Sequence, residues 1–195
     1  MIGTSAGGIE PLKQIVSELP QDFPVALFVI VHLPSWHRSE LPAVLTRAGR
    51  LPASHPEDGE IIRPGHIYVA QPDFHMLLSG DSNINLWRGP KENRHRPSIN
   101  ASFRSAAVNY RDRVIGVILS GMLDDGATGL WWIKQYGGVA VVQDPVETQF
   151  PDMPCAAIEH VDVDHVAGAA EIGALLTRLS QEEESVRKTN RKTRD

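Results

Sequence analysis

The stretch VIGVILSGMLDDGATGLWWIKQYGGVAVVQ, residues 114–143, decides the fold. Two apolar runs, Val114–Ser120 and Val139–Gln143, enclose a helical pattern marked by Leu130, Trp131 and Ile133 that closes near Gly137. Neither run alternates apolar with polar residues. Continuous β-branched runs belong where helices cover both faces, as in parallel sheets. Working outward, Val25–Val31 and His66–Ala70 read as further buried strands. Ile9, Leu12, Ile15, Val16 and Leu19 make one apolar helical face that Pro20 ends. Leu41, Val44 and Leu45 suggest a second helix, and Ile99, Phe103, Ala106, Ala107 and Tyr110 a third with Ser98 as its cap. Ile172, Leu175, Leu176 and Leu179 mark the last. This alternation predicts an α/β class: a doubly wound, mostly parallel sheet with helices on both faces. Residues 74–88 break the rhythm and predict an antiparallel hairpin around Gly80-Asp81-Ser82, added to that sheet.

At 195 residues the chain suits one domain, expected over residues 1–180. Residues 181–195, QEEESVRKTNRKTRD, have no apolar stripe and are expected to be a fraying helix and a disordered, solvated tail. A formal net charge of -5 argues against general nucleic-acid binding. The longest apolar run, Val25–Val31, is far too short to insert in a membrane, and residues 1–8 do not form a secretory signal. The single Cys155 excludes an internal disulfide and suits a reducing cytoplasm; it reads as a small residue on a short helix. The expectation is a cytoplasmic protein. The eight histidines fall in no recognised metal motif, EHVDVDH (159–165) reads as a strand and loop, and no metal or organic cofactor is expected.

In open α/β sheets ligands bind beyond the carboxyl ends of the strands. Three polar residues follow buried runs: Ser5, His32 and Asp125. Gly3-Thr4-Ser5-Ala6-Gly7 fits the G-x-S-x-G turn that exposes a nucleophilic serine; it also resembles a glycine-rich phosphate cradle, or a plain tight turn. A hydroxyl becomes nucleophilic when an imidazole takes its proton, and a buried carboxylate fixes the imidazole tautomer. Each residue also has a structural reading. Ser5 can serve the turn, His32 can be a satisfied strand-end histidine, and Asp124 or Asp125 can cap the helix near Gly126. The chain order Ser5, His32, Asp125 sets ordinary α/β-hydrolases aside, because theirs ends on histidine. A dinucleotide fingerprint is also weakened, since Gly3 and Gly7-Gly8 do not make G-x-G-x-x-G.

The blocks IGTSAGGIEPL, VIVHLPSWHRSEL, EDGEIIRPGHIYVAQPDFHM, ENRHRPSINASFRSAA, GVILSGMLDDGATGL and MPCAAIEH, in that order, resemble the catalytic domain of the chemotaxis receptor protein-glutamate methylesterase family, from about Ile2 to Leu179. The resemblance implies a serine hydrolase that demethylates γ-glutamyl methyl esters on methyl-accepting chemoreceptor helices, and for some members deamidates glutamines. It implies Ser5 as nucleophile, His32 as general base and then acid, Asp125 as orienting carboxylate, and the backbone N–H groups of Ala6 and Met122 as oxyanion hole. Asp124 is left to face solvent or cap the helix. Typical members of the family carry an N-terminal receiver domain, whereas four residues precede Ser5 here. A receiver is therefore expected as a separate partner or as a part outside this chain. A first strand this short, against about 5–6 residues for a mean strand, is expected to hold Ser5 less firmly. A catalytically silent adaptor of the same fold is the alternative, and a small-molecule esterase a third reading. Arg94, His95 and Arg96 carry two open readings: arginines that hold substrate carboxylates, or a loop pinned by bonds to backbone carbonyls.

Overall fold

The apolar runs become strands because each can bury both of its faces. In the computed structural model, which describes residues 1–33 and 39–192 and side chains through residue 181, the elements follow in chain order. They are β1 (Ile2–Thr4), α1 (Ile9–Glu18), β2 (Leu27–Val31), α2 (Leu41–Ala48), β3 (Ala53–Ser54), β4 (Glu60–Ile61), β5 (Ile67–Val69) and β6 (His75–Leu78). Then come β7 (Asn83–Trp87), α3 (Ile99–Tyr110), β8 (Ile115–Ile118), α4 (Ala127–Gln135), β9 (Val139–Gln143), α5 (Asp152–His160), β10 (His165–Ala167) and α6 (Ala169–Lys192).

Among the described residues, seven strands form one sheet in the order β10-β9-β8-β1-β2-β5-β3. Every pairing in it is parallel. The chain leaves β1 toward β2 on one side and returns to β8 on the other, so β1 is the topological switch point, where such folds open a crevice. Two apolar layers cover the sheet. Phe28 and Ile30 pack with Ile99, Phe103, Leu130, Ile133 and Met153 of α3, α4 and α5. Ile2, Val29, Val31 and Val117 pack with Leu12, Ile15, Leu45 and Ile172 of α1, α2 and α6. Full burial of such side chains contributes about 1.5–3 kcal/mol each.

Three expectations change. The hairpin forms, but β6 and β7 join β4 in a separate three-stranded antiparallel sheet instead of extending the large one. Its buried Met76, Leu78 and Ile84 pack in one apolar layer with Ile99 and Phe103 of α3, which draws the hairpin off the edge of the large sheet. Glu159 and His160 end α5, and the strand read at 159–165 begins only at His165. The short first strand is not loosely held. It is central, paired on both sides, and continued by a 3.0 Å bond from Ser5 N–H to Ser120 O. The segment after Ser180 begins within the last turns of α6; its side chains from residue 182 lie outside the described residues.

Gly8 opens α1 directly over Thr4, whose buried hydroxyl donates to Ser120 O at 2.8 Å. A Cβ at Gly8 would lie 1.6 Å from Thr4 Oγ1. Gly8→Ala is therefore expected to cost about 1–3 kcal/mol, seen as a melting temperature several degrees lower. A variant as stable as the parent would contradict this packing.

Candidate active site

Ser5 stands one residue beyond β1, and Gly8 N–H closes the turn after it on Ser5 O at 3.2 Å. Gly7 takes the left-handed conformation this turn needs, with φ 73°. Thr4 is the register partner of Val31, so His32, next on β2, lies level with Ser5, and His32 N–H donates to Thr4 O at 3.3 Å. Side chains alternate along both strands. Ile2 faces the α1 layer, and the bare face of Gly3 meets Ile99 of α3. Ser5 therefore falls on the α3 face. Phe28 and Ile30 place His32 on that same face.

Asp125 comes to this edge by folding back from the β8–α4 loop onto the amino end of α3. It is 1% exposed. Its carboxylate accepts Ile99 N–H at 2.8 Å, Asn100 N–H at 3.3 Å, the Ser98 hydroxyl at 3.0 Å and His32 Nε2–H at 2.8 Å. A helix amino terminus offers free N–H groups and a positive dipole end, which suits a buried anion. Burial alone would raise the Asp125 pKa. The His32 hydrogen bond and charge, with the two α3 N–H groups, outweigh burial and hold it below the ordinary carboxylate value.

Asp125 thus does not cap α4, and Asp124 does not either. The amino end of α4 is capped from α3: Asn100 Oδ1 accepts Gly126 N–H at 2.9 Å and Gly129 N–H at 2.7 Å. Asp124 accepts Asn93 Nδ2–H at 3.0 Å. Ser98 caps α3 as its sequence suggests and also donates to Asp125.

The carboxylate faces Nε2 of His32, which fixes that nitrogen as the N–H. The Nδ1 atom is buried without a hydrogen-bond partner among the described residues. The protease arrangement, with Nε2 toward serine, is therefore reversed in ring orientation. The Ser5 hydroxyl also has no partner among the described residues, so two unmatched groups share one face at one level. His95 lies flat against His32, ring centroids 3.6 Å apart and planes within 2°. Burial and the neighbouring charge of His32 lower the His95 pKa, which favours the neutral ring.

Arg94, His95 and Arg96 have three different fates. Arg96 pins its loop through Asp73, with Nε to Oδ1 at 2.9 Å, and through Gly89 O at 2.5 Å. His95 covers the His32 imidazole. Arg94 is exposed at a turn tip. Buried His75 braces the same loop, accepting Ser98 N–H at 3.2 Å and donating to Pro90 O at 3.0 Å. The supporting roles of His75 and Asn100 leave no local pattern, because their partners are distant in sequence.

Ala6 follows Ser5 in the chain, and Met122 follows Gly121, whose Cα packs against the Ser5 side chain. Neither Ala6 N–H nor Met122 N–H meets an acceptor among the described residues. The Met122 loop is clamped by α5 and the residue pair before it. Gly121 N–H donates to Phe150 O at 2.9 Å, Met153 N–H to Gly121 O at 3.0 Å, and Leu123 N–H to Asp152 Oδ2 at 3.3 Å. Gly121 has no room for a side chain, since a Cβ would lie 2.9 Å from Ser5 Cβ and 2.1 Å from Met153 Sδ. The set provides a hydroxyl, an imidazole with an orienting carboxylate, and unpaired donors beside them, the parts acyl transfer uses. No cluster of metal-ligating side chains occurs among the described residues. No helix among them is long and apolar enough to cross a membrane.

Comparison with known proteins finds one family by sequence and by fold. The sequence model of the family described as CheB methylesterase matches residues 1–176. A protein of Leptospira interrogans whose name gives the activities protein-glutamate methylesterase and protein-glutamine glutaminase is 39% identical over 181 residues, covering 93% of this chain and 94% of that one. The protein-glutamate methylesterase/protein-glutamine glutaminase of Thermotoga maritima is 34% identical over 92% of this chain, which spans 53% of that relative. That of Borreliella burgdorferi is 33% identical over 92% of this chain, which spans 47% of it. The crystal structure of the Thermotoga maritima CheB methylesterase catalytic domain superimposes with a TM-score of 0.87 at 34% identity, over 91% of this chain and 96% of that one.

Because burial lowers the His95 pKa, the unfolded chain binds a proton there before the folded one does. Stability is then complete above the ordinary histidine value of about 6.5 and falls as pH drops below it. His66, lowered by burial, acts in the same direction. Melting temperature is expected to decline below that pH in the wild type and less steeply in His95→Phe. Equal slopes would contradict a neutral, stacked His95.

Proposed function

Because the chain belongs to the CheB methylesterase family, we propose that it is a serine esterase acting on the γ-methyl ester of protein-bound glutamate, with chemoreceptor helices as its substrate in the cytoplasm. The observation that carries the mechanism is His32 held by Asp125 at 2.8 Å with a buried, unmatched Nδ1 level with Ser5. In this reading Ser5 Oγ attacks the ester carbonyl carbon while His32 Nδ1 takes its proton. The imidazolium so formed keeps its Nε2–H on Asp125, whose charge stabilises it. Negative charge on the carbonyl oxygen is met by the N–H groups of Ala6 and Met122. The C–O bond to the methoxy group then breaks, His32 returns the proton, and methanol leaves. Water, deprotonated by His32, attacks the acyl-enzyme ester and releases Ser5 and a glutamate side chain. With a glutamine substrate the leaving group is ammonia, and the other steps are unchanged. The protein's own groups carry every proton transfer in this scheme.

The structural support extends beyond the three side chains. The carboxylate is fixed by α3, the oxyanion donors by the turn at Gly7 and the clamp on Gly121, and the imidazole plane by His95. Such fixed geometry is what gives oriented catalysis its advantage.

Ser5→Ala is expected to lower methanol release from methylated receptor on the order of 10⁴-fold or more while the protein stays folded. It should also abolish labelling by a fluorophosphonate. Near-normal turnover would contradict the covalent mechanism, and a wild type that takes no label would indicate a silent adaptor. Asp125→Asn is expected to lose ~10⁴-fold in kcat, as the corresponding change does in a serine protease. Asp124→Asn retains an oxygen for Asn93 and should stay near wild type. Measuring both variants together decides the assignment, and the reverse pattern would overturn it.

A further inference from the structure

Residues Glu92–His95 form a two-residue hairpin turn, with His95 N–H on Glu92 O at 2.9 Å and Glu92 N–H on His95 O at 3.2 Å. Both central residues are left-handed, Asn93 at φ 50° and Arg94 at φ 69°. Such turns favour Asn followed by Gly, because the second position disfavours any side chain. An arginine there is a strained choice, and strain kept at a site invites a functional reason.

The turn is braced on several sides. Arg104 makes a two-pronged ion pair with Glu92 at 2.7 and 2.8 Å. Asn93 Nδ2 donates to Asp124 at 3.0 Å, and His95 stacks on His32. These contacts occupy the nearby carboxylates of Glu92 and Asp124. Arg94 is left exposed, with no ion pair or hydrogen bond among the described residues. Its position in the chain is one residue from the ring covering the proposed base, and its charge reaches that ring: it is the smallest contribution to the lowered His95 pKa, after burial, the charges of His32 and Lys91, and the opposing charge of Asp125.

We propose that Arg94 is a specificity residue that receives a carboxylate of the substrate chain next to the glutamyl ester being cleaved. This rests on the esterase reading above. A guanidinium presents several planar donors to a carboxylate, and a rigid turn limits the entropy lost when it engages. Arg94 would then favour substrate segments rich in acidic side chains, including those in which an earlier round has already produced a glutamate.

The test uses two synthetic peptides, each with one glutamyl γ-methyl ester, flanked by glutamates in one and by glutamines in the other. The wild type is expected to show a higher kcat/KM for the glutamate-flanked peptide. Arg94→Ala should reduce that preference roughly fivefold, through KM more than kcat, as loss of an exposed ion pair does. Arg94→Gly suits the turn better, so it should lose the same preference without loss of melting temperature, separating recognition from folding. Added salt should erode the preference in the wild type more than in either variant. A preference unchanged in both variants, or an equal loss for both peptides, overturns the role of Arg94 and leaves the esterase reading standing. Absence of methanol release from either peptide with the wild type overturns the esterase reading, and this inference with it.

Discussion

A buried carboxylate must be surrounded by donors or it would not remain charged. Asp125 meets that demand with the first N–H groups of α3, the Ser98 hydroxyl and the His32 ring, and these contacts join three parts of the fold. The position of α3 is itself fixed by close packing. Ile99 lies where β1 has Gly3 and where α4 begins at Gly126, so strand and helix approach its side chain without Cβ atoms between. Asn100, next in the helix, holds the start of α4 through Gly126 and Gly129. One helix terminus therefore sets the carboxylate, the carboxylate sets the imidazole, and the sheet register sets the serine beside it.

The parts legible in the sequence are those whose signal is local. Uninterrupted apolar runs mark β2, β8 and β9, His32 follows the first of these directly, and Ser5 is marked instead by its G-x-S-x-G turn. Ser98 was readable as a cap because capping by the preceding residue is a local habit of helices. Strands of two or three residues, such as β3, β4 and β10, give no periodicity to read. For a related reason the cap of α4 is not legible: Asp124 faces solvent, one of its two sequence readings, and accepts from Asn93. The true acceptor, Asn100, belongs to another helix and is separated from Gly126 by a whole strand and loop. His75 and His95 support the site through contacts that only tertiary folding brings together.

The charges of the loop before α3 divide by burial and partner. Arg96 of the loop and Arg104 of α3 pair with Asp73 and Glu92, and they stiffen the loop that carries His95. Their field does not need to reach a ligand to matter, since a loop that moved would uncover the His32 ring. The same loop also carries Lys91 and Arg94 outward, where a solvent-facing cation retains its attraction for an approaching anion. Stiffness and exposed charge thus come from one segment, with its one acid, Glu92, assigned to the first task.

Asp125 fixes the tautomer of His32 and leaves Nδ1 as the basic nitrogen. Nitrogen-15 NMR of the two His32 ring nitrogens, assigned by comparison with His32→Gln and recorded above the ordinary histidine range, reads this directly. The wild type is expected to show a protonated Nε2 and an unprotonated Nδ1, with that preference weakened in Asp125→Asn. A wild-type ring carrying its proton on Nδ1 would contradict it.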